Sequence, residues 1–230
     1  PKGTMSANVN ENTAVGNINY GYTTRGNNSY TDFLRYDYAN DTGASTPKGS
    51  LSFARNDFAG ATGSQEYGYF MGGTTYPTYY TSIDRIDYSN DTATASPKGN
   101  LSLMIAGSIG WRRAGGFSGQ SNAFGGTPTA PSTSKLVDKG ADGYTNDYPS
   151  QGYGYWAGGN PGQSRVDRLD YSNDTATASR KGDLFDYIKL HGGASSLTHG
   201  YTFGGETGSY GSYTSVVGRV DYSNDTATAA

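Results

Sequence analysis

The chain has 230 residues, with 35 Gly and 21 Tyr but only 33% hydrophobic residues, a formal net charge of −3 and no Cys. Without a basic run it lacks the positive footprint that nucleic acid demands. No stretch of about 18 apolar residues is present to span a membrane as a helix, and without Cys both disulfides and thiolate metal sites are excluded. An aromatic share of 13% separates the chain from disordered sequences, because Tyr fills a core while its hydroxyl stays near water or a partner. The sequence opens at Pro1 with neither Met nor a signal peptide, which reads as a mature, trimmed or partial chain.

Taken in chain order, Pro1-Lys2-Gly3 comes first, then Tyr20-Gly21-Tyr22 running to Arg25-Gly26. The phrase Leu34-Arg-Tyr-Asp-Tyr-Ala-Asn-Asp-Thr42 follows and returns three times, as Asp84 to Thr92, Asp167 to Thr175 and Gly218 to Thr226. The steps between its Asn-Asp pairs are 50, 83 and 51 residues. A period near 50 marks a repeat architecture.

Residues 47–96 represent one unit. Pro47-Lys48-Gly49 opens it as a turn. A small apolar segment follows at 58–61, and Tyr67-Gly68-Tyr69-Phe70-Met71 ends at Gly72-Gly73, a site for positive φ and sharp reversal. Residues 82–88 form a third extended segment, Asn90-Asp91 turns, and Thr92-Ala93-Thr94-Ala95 forms a fourth strand. The two rings of Tyr67 and Tyr69 share a face, and the Gly between them bares the other face to a neighbouring sheet. Arg85 and Asp87 point the same way, to pair with each other or with an adjacent blade.

The 83-residue step hides a degenerate copy, with residues 122–126 (ending at Gly125-Gly126) as its second strand and 134–138 as its third. Tyr153-Gly154-Tyr155-Trp156 then runs to Gly158-Gly159, and His199-Gly200-Tyr201 to Gly204-Gly205. Four short antiparallel strands in about 50 residues make one propeller blade. The expectation is therefore an all-β chain: a β-propeller of about five four-stranded blades, one degenerate, forming a single domain over 1–230. The alternative is four blades with an insertion, the divergent part being 107–152 with irregular structure at 127–134 and 140–152.

Head and tail are halves of one junction, since Pro-Lys-Gly elsewhere follows the Thr-Ala-Thr-Ala with which the chain finishes. Two outcomes remain open: closure of the ring within one chain, or pairing with the next subunit into a filament.

At its Gly-Gly turns followed by Arg-x-Asp-Tyr-x-Asn-Asp-Thr, the chain resembles kelch-type β-propeller repeats. More narrowly, Gly68-Tyr-Phe-Met-Gly-Gly73 with Asp84-Arg-Ile-Asp-Tyr-Ser-Asn-Asp-Thr92 is similar to repeats in tail-fibre-like proteins of aquatic phages and their metagenomic relatives. The fourth-strand Trp usual in kelch repeats is missing. The resemblance implies a binding or structural role at an extracellular or virion surface. Galactose oxidase also has a kelch-like propeller, but its copper site uses a Cys-linked Tyr, which this chain cannot build.

Candidate chemistry is sparse. The histidines, His191 and His199, stand eight apart as possible neighbours across a hairpin, without an evident third partner. The Asp-Tyr-Ser-Asn-Asp turns offer oxygen ligands to calcium but lack the EF-hand loop pattern, so they read as plain turns. The expectation is no enzyme, no metal and no cofactor. Asn40, Asn90, Asn173 and Asn224 head glycosylation sequons, and Asn100-Leu101-Ser102 is a fifth. Tyr76, Tyr79, Tyr80 and Trp111 are the candidates for glycan binding or subunit contact. Gly72, Gly73, Gly125, Gly126, Gly158, Gly159, Gly204, Gly205, Arg35, Arg85, Arg168 and Arg219 are the structural repeat positions. The function expected is a structural subunit of a fibre, with itself or other fibre and virion proteins as partners. The alternative is a receptor-binding domain for surface polysaccharide.

Overall fold

A computed structural model describes residues 2–7, 12–25, 30–55, 60–75, 77–102, 152–159, 164–189, 191–196, 198–207 and 212–230, and the backbone at 115–118, 136–137, 145–146 and 163. Four sheets are arranged as the blades of a β-propeller. Blade one holds β1 (Ala14–Gly16), β2 (Tyr20–Thr24), β3 (Asp32–Asp37) and β4 (Thr46–Ser50). Blade two starts with β5 (Gly60–Gly63) and β6 (Tyr67–Met71). A small hairpin of β7 (Thr74–Thr75) and β8 (Thr78–Tyr79) interrupts it before β9 (Ser82–Asp87) and β10 (Ser96–Asn100).

Blade three takes its first strand, β11, from Gly115–Ser118. A two-stranded ladder of β12 (Leu136–Val137) and β13 (Thr145–Asn146) comes before β14 (Tyr153–Ala157), β15 (Gln163–Asp170) and β16 (Ser179–Lys189). Blade four consists of β17 (Gly192–Ser195), β18 (His199–Phe203) and β20 (Val217–Asp221), while β19 (Glu206–Thr207) crosses back to the outer edge of β16. The innermost strands touch in the order β1, β5, β11, β17.

The four-blade alternative therefore describes the sheets. Residues 107–152 supply the first strand of blade three and a separate short ladder that includes Leu136–Val137, while the second strand expected at 122–126 lies outside the described residues. The double glycines act as expected: Gly72, Gly158 and Gly204 take φ of 61°, 65° and 59°, and Gly73, Gly159 and Gly205 of 99°, 128° and 110°. Gly125 and Gly126 lie outside the described residues.

Two strand assignments need correction. Pro47-Lys48-Gly49 is not a turn; it lies within β4, the fourth strand of its own blade. Proline is tolerated there because an outermost strand needs no N–H on its open side. Thr92-Ala93-Thr94-Ala95 is not a strand. Its backbone runs along the preceding blade, where the Ala95 N–H donates to the Ser50 carbonyl and the Gly49 N–H to that of Asp91. A Cβ at Gly49, Gly99 or Gly182 would collide with the carbonyl of Ala93, Ala176 or Ala227 in the next blade, so this close approach demands glycine.

The apolar side chains form three clusters, one per joint. Tyr22, Phe33 and Leu51 of blade one meet Ala61, Phe70, Ile86 and Ala95 of blade two. Tyr69, Met71, Ile83 and Leu101 meet Trp156, Leu169 and Ala178 of blade three. Tyr155, Ala157, Val166, Leu184 and Ile188 meet Val220, Tyr222 and Ala229 of blade four. Among the described residues no such cluster joins blade four to blade one.

Candidate functional site

The repeated phrase builds one device three times. The Asp just before its Tyr caps a single 3-10 turn: Asp37, Asp87, Asp170 and Asp221 each accept the backbone N–H two residues on, at 2.9 Å. The turn swings its Tyr over the glycine of the Tyr-Gly-Tyr strand in its own blade. A Cβ at Gly68 would sit 2.7 Å from the Tyr88 hydroxyl and 2.8 Å from Val15 of blade one. The bare glycine face thus admits a neighbouring sheet, as its pattern suggests. The same Tyr also stacks on the preceding blade: Tyr88 on Tyr22, Tyr171 on Tyr69 and Tyr222 on Tyr155, each at 4.9 Å between ring centroids.

The Asp of the Asn-Asp pair is the anion of the joint. Asp91 accepts from Arg35 at 2.8 Å and Tyr22 at 3.0 Å, with Lys48 3.4 Å away. Asp174 does the same with Arg85 at 2.6 Å, Tyr69 at 3.1 Å and Lys98 at 3.4 Å. Asp225 does so with Arg168 at 2.7 Å, Tyr155 at 3.1 Å and Lys181 at 3.6 Å. In every case the carboxylate belongs to one blade and the three donors to the blade before it. Arg35, Arg85 and Arg168 also lie over the rings of Tyr20, Tyr67 and Tyr153.

Burial, and then the adjacent carboxylate, pushes the hydroxyls of Tyr22, Tyr69 and Tyr155 well above their ordinary range, so they stay protonated donors. Burial, the largest single influence, would lower Arg35, Arg85 and Arg168, but the Asp charge, the hydrogen bond to it and the neighbouring Tyr together raise all three. Asp84 and Asp167 add a second layer at the first two joints, accepting from Ser52 and Ser102 of the preceding blade. Arg55, fully buried, pairs with Asp84 at 3.2 Å.

Arg85 thus pairs across the joint, not with Asp87. Arg219 is the exception among the four repeat arginines: it is exposed and forms no ion pair among the described residues. In the sequence Asp91, Asp174 and Asp225 read as residues of plain turns. The available signal was the constant six-residue offset from Arg to Asp within each phrase, which keeps opposite charges in step.

The remaining candidates are scattered. Tyr79 ends the β7–β8 hairpin, partly exposed, and Tyr80 packs on Phe53 at 4.6 Å. Tyr76 and Trp111 lie outside the described residues. Asn40, Asn90, Asn173 and Asn224 are exposed at the same corner of each blade, accessible to modification. The histidines are not neighbours. Gly192 faces Phe203 and Ser195 faces Gly200, which places His191 and His199 at opposite ends of that hairpin. His191 is buried with a hydrogen bond to the Ala157 backbone, and its burial pushes the ring down to about 4.

Among the described residues no helix is long and apolar enough to cross a membrane, and no group of three or more His, Asp or Glu is placed to hold a metal ion. No protein-family model matches the chain, and no curated protein is significantly similar to it.

Proposed function

We propose that the chain is a non-enzymatic structural subunit of an extracellular or virion fibre, built from kelch-like repeats. One observation carries this reading: the recurrent ionisable residues are spent on cohesion between blades, with the same Tyr, Arg, Lys and Asp at three successive joints. Catalysis needs one constellation of unlike groups around a reacting atom. A joint that repeats unchanged is instead what an extended, load-sharing assembly needs. The closeness to tail-fibre-like proteins of aquatic phages rests on the resemblance of the repeat phrase. Negative-stain microscopy of the purified chain at high concentration tests the proposal. Filaments are expected; isolated, monodisperse rings at every concentration sink it.

A second reading is a receptor-binding domain for surface glycans. It is favoured by Tyr79, partly exposed at the end of the β7–β8 hairpin, where its ring could stack on a sugar face. It expects binding on a glycan array that Tyr79→Ala abolishes, and binding unchanged in that variant removes it.

A further inference from the structure

We infer that blade four of one copy docks on blade one of a second copy of this chain, Arg219 and Tyr201 entering a seat formed by Asp41 and Tyr38. The inference deepens the fibre reading and rests on it, naming the partner and the residues of its joint.

The two faces are the unmatched halves of the device made three times inside the molecule. On blade four, Tyr201 stands where Tyr22, Tyr69 and Tyr155 stand, paired across the sheet with Arg219 as Tyr69 is with Arg85. Tyr22, Tyr69 and Tyr155 are each at most 1% exposed, whereas Tyr201 remains partly exposed. Its apolar surroundings are uncovered too. Val217 is 50% exposed and Phe203 44%, while Ile83 and Met71, at the matching places of blade two, are both 0% exposed.

On blade one, Tyr38 is 50% exposed and stacks on no ring among the described residues, although its counterparts Tyr88, Tyr171 and Tyr222 all do. Asp41 has only part of its usual donor set. Lys2 lies 3.3 Å from its carboxylate and the Gly3 N–H donates to its carbonyl at 2.5 Å, as Lys48 and Gly49 do at Asp91. What the Asp41 carboxylate lacks among the described residues is the Arg and the Tyr. Those are the two groups that blade four presents.

The backbone agrees. Arg219 and Ala230 exchange both ladder hydrogen bonds, the pairing that begins a fourth strand at Arg35–Thr46, Arg85–Ser96 and Arg168–Ser179. The rest of the outer edge of β20 has no strand beside it among the described residues. Residues 2–4, held on blade one of a second copy, would continue that strand and cover the edge. Charge, ring stacking and strand edge are each complementary, and the contact is heterologous, so it propagates from copy to copy.

Charge reversal on the full chain tests the inference, read by sedimentation velocity and by negative stain. Arg219→Glu or Asp41→Arg alone weakens association about a hundredfold, since each buries like charges at the joint. An equimolar mixture of the two variants, and the chain carrying both changes, regain wild-type association, because every junction again joins opposite charges. Circular dichroism melts matching the wild type exclude misfolding as the cause.

The chain has no Cys, so Tyr38→Cys with Tyr201→Cys gives a unique pair for a short bismaleimide. A ladder of multimers on denaturing gels is expected. A monomer cross-linked to itself, or no cross-link, overturns the inference, as do single reversals that assemble like the wild type. Filaments that survive both single reversals leave the fibre reading standing and sink this joint. Association that reversal rescues but that never lengthens into filaments keeps the joint and sinks the fibre.

Discussion

The joint between blades two and three and the pair of faces on blades four and one are written in the same residues, yet their surroundings differ. The Asp174 side chain is 8% exposed and takes Arg85, Tyr69 and Lys98; the Asp41 side chain is 45% exposed and, among the described residues, takes Lys2 alone. At the internal joint the charged cluster is roofed by Tyr171 stacked on Tyr69 and floored by Met71, Ile83, Trp156 and Leu169. On the end faces the corresponding rings and aliphatic groups meet water. The phrase therefore encodes a half-joint, and strength comes only when its complement arrives. An exposed ion pair is worth at most about 1 kcal/mol, whereas breaking a buried, hydrogen-bonded one costs about 3–5 kcal/mol.

The largest expected break lies in the apolar floor. Ile83 and Val217 hold the same place in their blades, but Ile83 is 0% exposed and Val217 50%. Ile83→Ala should cost about 4 kcal/mol in denaturant unfolding, and Val217→Ala no more than about 0.5 kcal/mol in dilute protein. Equal losses would mean that the end face is already covered.

The charged layer comes next. Asp174→Ala strands Arg85, Lys98 and the Tyr69 hydroxyl, and about 3 kcal/mol is expected, toward the lower end for a buried pair because Arg85 keeps some contact with water. Asp41→Ala in dilute protein should cost less than about 1 kcal/mol. The same two melts repeated at high concentration sharpen the contrast: the gap should narrow as copies associate and Asp41 gains its missing partners.

Much of this arrangement was legible in the repeat. The recurrent phrase marked the blades, the double glycines marked the reversals, and the small residue inside Tyr67-Gly68-Tyr69 marked where a neighbour approaches. The fourth strand was misplaced because Thr-Ala-Thr-Ala carries better strand propensity than Pro-Lys-Gly. The winning factor is tertiary: the Thr-Ala segment spends its hydrogen bonds on the preceding blade, leaving Pro-Lys-Gly to complete its own. The joint was missed for a related reason. An Asp beside Asn reads locally as turn chemistry, and nothing within one repeat says that its carboxylate faces the Arg of another. Only the matched recurrence of Arg and Asp hints at it, and a recurrence cannot say whether the partner lies in the same blade or the next.

The third joint differs from the first two in a way that pH exposes. There Gly218 replaces the Asp of the second layer and the Phe185 ring lies against it, while His191 is buried against blade three through the Ala157 backbone. Burial holds His191 near 4 in the folded chain, against about 6.5 when unfolded. A lowered folded value means that the unfolded chain takes up the proton first. The stability from keeping His191 neutral is whole above pH about 6.5, shrinks as acid is added and is gone below the folded value. The loss should reach about 2 kcal/mol by pH 5. His191→Gln should flatten urea-unfolding stability between pH 7 and 5, at the cost of a smaller stability at pH 7. A variant that keeps the wild-type slope would place the acid sensitivity in other groups, and the third joint would then differ from its fellows in packing alone.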